Sequence, residues 1–369
     1  MFLIRDAQAR DLDQLYQVAT ELNSVNLPAD RAVIASLIER SQASLQDECA
    51  LNRRALFVLE EWTLGVGGAG GAGGAGGAGG AWRSEVLGCA MIIAQHGTHD
   101  RPASYFRIME RQKYSPILKK HFKHQTLELI FDYDGPTELG GLVLSSRLRG
   151  HPLKLGRFLS YVRLAFIGLP SRRAWFEDEV VAELLPALGP NRQSELWPYL
   201  GQRFTGLDYH TADQLSREHI HFVQELFPQA PLYTSLLPPH VQAQLGKVGP
   251  ASQPAAHLLA KVGFAYDGTI DPFDGGPTYR VRTDECPLIK GSVRGEWASM
   301  ELTARAAARP GILLLDGLSE GGGLKALLGE GACGRDGEPI EFCPIGDAEA
   351  RAALLSADLG REASFTPFP

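Results

Sequence analysis

Between Glu138 and Phe166 the chain prescribes a strand, a basic glycine loop and a helix in immediate succession. Leu139, Leu142, Val143 and Leu144 make Glu138 to Leu144 a mostly apolar run of strand length. Arg147-Leu148-Arg149-Gly150-His151-Pro152-Leu153-Lys154-Leu155-Gly156 follows, punctuated by glycine and proline, and Phe158, Leu159, Val162, Ala165 and Phe166 then repeat along one helical face. From Arg147 to Arg163 there are five basic residues (Arg147, Arg149, Lys154, Arg157, Arg163) and no acidic one, in a chain whose 36 Lys+Arg and 43 Asp+Glu give a net charge of −7. The N–H groups at a helix start, its positive dipole end and a glycine that permits close backbone approach together suit a pyrophosphate. On the loop alone, a solvated basic turn leading into a core helix is an equally good reading.

The remaining pattern places strands and helices around this unit. Phe2 to Arg5 reads as a strand, Leu12, Leu15, Val18 and Leu22 as one helix face, and Val33, Ile34, Leu37 and Ile38 as another. The Gly-Gly-Ala repeat from Gly67 to Gly80 has no side chains to bury and loses much backbone entropy on ordering, so it is expected to be a flexible loop. It separates two β-type runs, Ala55 to Glu60 and Glu85 to Ile93, as an enlarged hairpin would. Further strands are expected at Leu127 to Phe131 and Glu179 to Glu183, and helices at Ser194 to Gln202 and Ala255 to Lys261. After Glu285 short apolar runs, Ile312 to Leu315 and Ile340 to Phe342, lie among many glycines. The expected fold class is α/β (α+β), a mixed sheet flanked by helices, with a domain over 1–284 and a small β-rich module over 285–369.

Several function classes lose support at once. Hydrophobic residues at 44% and charged residues at 21% are ordinary globular values, and the acidic balance disfavours a nucleic-acid partner. No run approaches the ~18 apolar residues of a membrane span, and Arg5 and Asp6 interrupt any secretory signal, so a cytoplasmic location without membrane partners is expected. Five scattered cysteines without a C-x-x-C pair suggest neither a disulfide framework nor a zinc site. His121 with His124, at helix-face spacing, and His219 with His221 have no acidic or thiol companions at ligand spacing, and are read as exposed surface. Neither a dinucleotide fingerprint nor a P-loop occurs. The window Arg107 to Lys123, with six basic residues against Glu110, reads as a solvated helix face. Asp271 and Asp274, in Asp271-Pro272-Phe273-Asp274-Gly275-Gly276-Pro277, are either turn residues or a clamp for a cationic substrate.

Ile4-Arg5-Asp6-Ala7 with Asp11-Leu12, the strand, basic loop and helix, and Lys261-Val262-Gly263-Phe264 together resemble the GCN5-related N-acyltransferase fold. To about Arg282 the chain resembles, more narrowly, bacterial arginine N-succinyltransferases. The likeness rests on Leu27-Pro28-Ala29, Phe57-Val58-Leu59-Glu60, Glu138-Leu139, Leu159-Ser160 with Arg163, Val181-Ala182-Glu183, Leu200-Gly201, Glu225-Leu226 with Pro231-Leu232-Tyr233, and the Asp271 to Pro277 motif. The resemblance implies transfer of a succinyl group from succinyl-CoA to the α-amine of arginine or a related amino acid, in arginine catabolism, with no permanently bound cofactor or metal. It implies a homodimer, or a heterodimer with a similar chain. Leu142 falls on the succinyl-CoA position, and Arg149, Lys154, Gly156 and Arg157 on the pyrophosphate loop. Glu138 stands where acyltransferases of this fold often hold a base for the amine.

The chain departs from the family where Gly-x-Val-His-Pro becomes Gly246-Lys247-Val248-Gly249-Pro250, so Gly249 replaces the proton-donor histidine. It departs again where an Arg-Gly after Ala182-Glu183 becomes Leu184-Leu185-Pro186. A catalytically slow or silent chain serving as a partner subunit, or one with another amine acceptor, is the alternative. Because Pro250 holds residue 249 in extended geometry, Gly249→His is expected to fit and to raise turnover.

Overall fold

The computed structural model describes residues 1–22, 27–46, 53–64, 82–216, 219–299, 308–317, 323–332, 336–346, 348–355, 358 and 361–369. The Gly67 to Gly80 tract lies outside them. The strands are β1 (Phe2–Asp6), β2 (Arg54–Leu64), β3 (Trp82–Ile93), β4 (Ala103–Ser115), β5 (Lys120–Asp132), β6 (Thr137–Leu144), β7 (Glu179–Glu183), β8 (Leu232–Tyr233), β9 (Ala265–Ile270), β10 (Pro277–Arg282), β11 (Val293–Ser299), β12 (Arg309–Asp316), β13 (Leu324–Ala332), β14 (Ile340–Pro344) and β15 (Glu362–Pro367). The longer helices are α1 (Leu12–Leu22), α2 (Arg31–Leu45) and α3 (Leu155–Ile167). The chain forms two compact units, the first from Met1–Ile93, Gly140–Trp175 and Pro287–Pro369, the second from Ala94–Leu139 and Phe176–Cys286.

In the first unit β1 pairs antiparallel with β2 on one side and β13 on the other. β2 and β3 run antiparallel from Arg54↔Ile93 to Leu64↔Trp82, the two arms of the hairpin expected from the sequence. Leu15, Val18, Ile34 and Ile38, from the helical repeats of α1 and α2, bury against Leu56, Val58, Val86 and Val143 of the sheet. The opening motif is a buried ion pair: Arg5 Nη1 and Nη2 each donate to Asp11 at 2.7 Å, and Nη2 also donates to Glu60. Both terminal nitrogens of this buried guanidinium are met by carboxylates, while its Nε has no partner. The boundary expected at 284/285 is not where the chain divides. Residues from Pro287 onward group with the N-terminal strands because β13 pairs directly with β1, Ile4↔Ala326 and Arg5↔Lys325.

In the second unit the start of β6 runs parallel to β7, Thr137↔Val180 and Glu138↔Val181, and β7 is antiparallel to β10. β10 pairs with β9, β9 with β4, and β4 with β5 along their whole length. Phe106 and Ile270, directly opposite one another, sit in a core with Leu127, Trp197, Phe227 and Phe273, where the Trp197 and Phe273 rings stack at 4.9 Å. Strand alternation therefore turns Tyr105, Arg107 and Thr269 to the opposite face. The basic window expected as a helix face is this β4–β5 hairpin, and His121 and His124 lie on β5. Phe106 and Ile108 alternate with polar neighbours and face Leu129 and Leu127, a period of two rather than 3.6. The helix expected at Ser194 to Gln202 is instead a 3-10 turn, Trp197–Tyr199, followed by the short helix Gly201–Thr205, since Pro198 removes a backbone donor in its middle.

Candidate active site

The loop after β6 belongs to the first unit. Gly141 takes φ +57° and bends β6, its Cα so close to Met91 that a Cβ would lie 3.0 Å from the Met91 Cβ. Leu142 follows, half-buried. Lys154 precedes α3 in left-handed geometry, φ 54° and ψ 46°, and its side chain makes no capping hydrogen bond to the first turn. Gly150, at φ +74°, has open space about it, and a Cβ at Gly156 would meet only Leu144 at an ordinary 3.6 Å. The protein's own packing thus does not demand glycine at 156, whereas a ligand approaching the backbone would.

The five basic side chains of this stretch divide by role. Arg163 is buried, donating to the Gly140 carbonyl at 3.1 Å and to Ser160. Arg147 pairs with Glu85 at 2.6 Å, and the Arg157 guanidinium lies over the Phe368 ring at 4.4 Å. Arg149 and Lys154 are exposed at the loop and the helix start.

The second unit holds a cluster that the sequence reading missed. His96 Nδ1 lies 2.7 Å from Glu138 Oε2, and its Nε2 lies 3.8 Å from Glu183 Oε1. Glu138 is set by the first residues of β6 and Glu183 by the last residue of β7. The His96 N–H donates to the Pro136 carbonyl at 2.7 Å, and Gly97, at φ +101°, makes a turn in which a Cβ would fall 2.4 Å from the Asp132 carbonyl oxygen. Burial opposes a charged imidazole, but Glu138 and Glu183 outweigh it, and His96 is pushed up to about 9. Burial, with Asp271, Glu138 and Asp267 nearby, raises Glu183 to about 8 against the pull of His96. The only sequence signal was a His-Gly pair directly after the apolar run of β3.

Glu138 is thus joined to an imidazole rather than left open to an amine. Asp271 Oδ1 accepts from the N–H groups of Phe273 and Asp274, at 2.7 and 2.9 Å, and Asp274 Oδ1 accepts from Gly276 N–H at 2.7 Å, which is the turn role. Burial, with Asp213, nonetheless raises Asp271 to about 6, and burial with Asp271 raises Asp274 well above the usual carboxylate range. His221 bonds the Asp100 carbonyl at 2.8 Å on the surface. Gly249 corrects an expectation: its N–H donates to Leu185 O at 2.9 Å, and a Cβ there would lie 2.2 Å from Pro186 O. Extended geometry allows a side chain at 249, but the neighbouring backbone already fills its place.

The profile of a family described as "Arginine N-succinyltransferase beta subunit" matches residues 2–288. Arginine N-succinyltransferases of Yersinia enterocolitica and Citrobacter koseri are each 31% identical over 296 residues, spanning 79% of this chain and 79% of theirs. The solved arginine/ornithine succinyltransferase subunit AI of Pseudomonas aeruginosa superposes with a TM-score of 0.77 at 27% identity, over 100% of this chain and 99% of that one. Sequence over most of the length and fold over all of it agree, so this chain, with a GCN5-related N-acyltransferase-like fold, belongs to the arginine N-succinyltransferase family.

Proposed function

We propose that this chain transfers the succinyl group of succinyl-CoA to the α-amine of arginine, with His96 and Glu183 moving the protons. The observation that carries the reading is an imidazole set between two carboxylates in a member of this family. The arginine α-amine arrives largely as an ammonium and must lose a proton before it can attack. Glu183, raised toward the operating range, is matched to accept it. The nitrogen lone pair then adds to the thioester carbonyl, whose developing oxyanion calls for hydrogen-bond donors. Collapse breaks the C–S bond, the coenzyme A thiolate takes a proton from the His96 imidazolium, and the extra proton on the acylated nitrogen returns to His96, leaving a neutral amide. Glu138 is the positioning residue that holds His96 through Nδ1. Arg149, Lys154, Gly156 and the start of α3 hold the pyrophosphate, with Leu142 beside the acyl end.

The subunit descriptions of the relatives fit a homodimer or a heterodimer with a homologous chain. Exposed Ile117 and Leu118, at the β4–β5 turn, would be covered in such an assembly. Because no described helix is long and apolar enough to cross a membrane and acyl-CoA is an intracellular metabolite, the reading puts the chain in the cytoplasm. The test is free-thiol release from succinyl-CoA with arginine. His96→Gln should lower kcat by about 10² to 10⁴ with succinyl-CoA affinity unchanged. A His96→Gln protein as fast as the parent would overturn the assignment.

A further inference from the structure

The second unit carries a cavity of ≈ 590 Å³ whose wall includes six carboxylates and two guanidinium groups. One of the two, Arg280, is already satisfied, donating to Asp267 at 2.9 Å and to Glu179 at 2.6 Å. Asp267 and Glu179 are two of the six, so four further carboxylates face Arg107 and the wall is net negative. Among the described residues no three His, Cys, Asp or Glu side chains converge in a way that could hold a metal ion, so the charge is spread along a wall rather than focused on a point. A spread of carboxylates suits an extended, delocalised cation.

Tyr105 gives independent evidence that something polar belongs there. It lines the cavity, is 1% exposed, and its hydroxyl has no hydrogen-bond partner. A buried phenol left without a partner costs about 1 to 3 kcal/mol, a cost that a bound ligand would remove. The hydroxyl lies within the electrostatic reach of Glu183 and Glu138 and also of Asp132, from the cavity wall. The Tyr105 and His96 rings are 6.0 Å apart. One side chain thus connects the proton-handling cluster to the acidic cavity.

We propose that this cavity is the specificity pocket for the acceptor, taking the guanidinium side chain of arginine against Asp132 and the Tyr105 hydroxyl while the α-amine faces His96 and Glu183. The assignment rests on the acyl-transfer reading for the α-amine but stands on the cavity's own charge for the side chain. It places selectivity on β4, β5, β9 and β10 rather than on Asp271 and Asp274, whose Oδ1 atoms serve their own turn.

The test is calorimetric titration of the full chain, with coenzyme A present, by L-arginine and by L-citrulline, which keeps the shape and loses the charge. Arginine should bind at least about tenfold tighter than citrulline. Tyr105→Phe should weaken arginine about three- to tenfold, and Asp132→Asn about tenfold or more, with coenzyme A affinity unchanged in both. Tyr105→Phe removes only an unpartnered hydroxyl and should melt no lower than the parent. Equal affinity for arginine and citrulline, no arginine binding, or unchanged binding in both variants would overturn the assignment. Arginine binding of this pattern without thiol release would refute the transfer reading and leave the pocket standing. Thiol release with the arginine KM unchanged in both variants would do the reverse.

Discussion

A histidine placed at 249 should damage this protein rather than speed it. A Cβ on residue 249 would lie 2.2 Å from Pro186 O, 2.3 Å from Pro186 C and 2.6 Å from Ala187 N, all backbone atoms of one neighbouring segment. Ordinary contact begins near 3.4 Å. The two segments must therefore part by about an ångström, which breaks the 2.9 Å bond from Gly249 N–H to Leu185 O. Forced overpacking typically costs about 1 to 3 kcal/mol, and the broken hydrogen bond about 1 more. At about 2 to 4 °C per kcal/mol for a domain of this size, Gly249→His should melt roughly 5 to 15 °C lower. Gly249→Ala carries the same Cβ and should fall by a similar amount, so the pair separates backbone conflict from imidazole chemistry. Thermal melts of both variants beside thiol release with arginine make the assay. A Gly249→His protein melting within about 2 °C of the parent while turning over severalfold faster, with Gly249→Ala unchanged in rate, would refute the packing argument.

Acyl transfer should rise with pH as Glu183 loses its proton near 8 and fall as His96 loses its own near 9, and in His96→Gln the upper limb should vanish from the pH profile of kcat/KM. Thermal stability should move the other way across that range. A folded-state value for His96 raised from 6.5 to about 9 gives a contribution complete below about 6.5 and lost as pH rises through 9, so melting temperature should drop over that window and drop less in His96→Gln. Arg149→Ala with Lys154→Ala should weaken coenzyme A binding about tenfold or more and flatten its dependence on salt, with arginine affinity unchanged, as titration calorimetry would record.

Much of the frame was readable because local chemistry decides it. The β2–β3 hairpin, β6, the basic loop and α3 each carry a periodicity and punctuation that tertiary packing merely extends. Where pairing between distant segments decides, the reading failed. The Arg107 to Lys123 window became a hairpin because Lys120 to Asp132 supplies a partner strand of matching length, and the C-terminal strands joined the first unit because β13 reaches β1. The anion loop was legible as five charges in one window, but not which of them the fold would commit to Glu85, Phe368 or Gly140. His96 was invisible for a related reason. A lone histidine after a strand carries no signal until the fold brings Glu138 and Glu183 to its two nitrogens from two other strands.

Gly249 and Leu184-Leu185-Pro186, two of the places where the chain was expected to depart from its family's pattern, meet in space. Gly249 N–H bonds to Leu185 O, and the Pro186 carbonyl occupies the volume a Cβ would need. Residue 249 is glycine because the 184–186 segment runs against it, and each change makes sense of the other. That same segment leaves directly from Glu183, the carboxylate that faces His96 Nε2. The contact between Gly249 and the 184–186 segment thus adjoins the His96 cluster through Glu183.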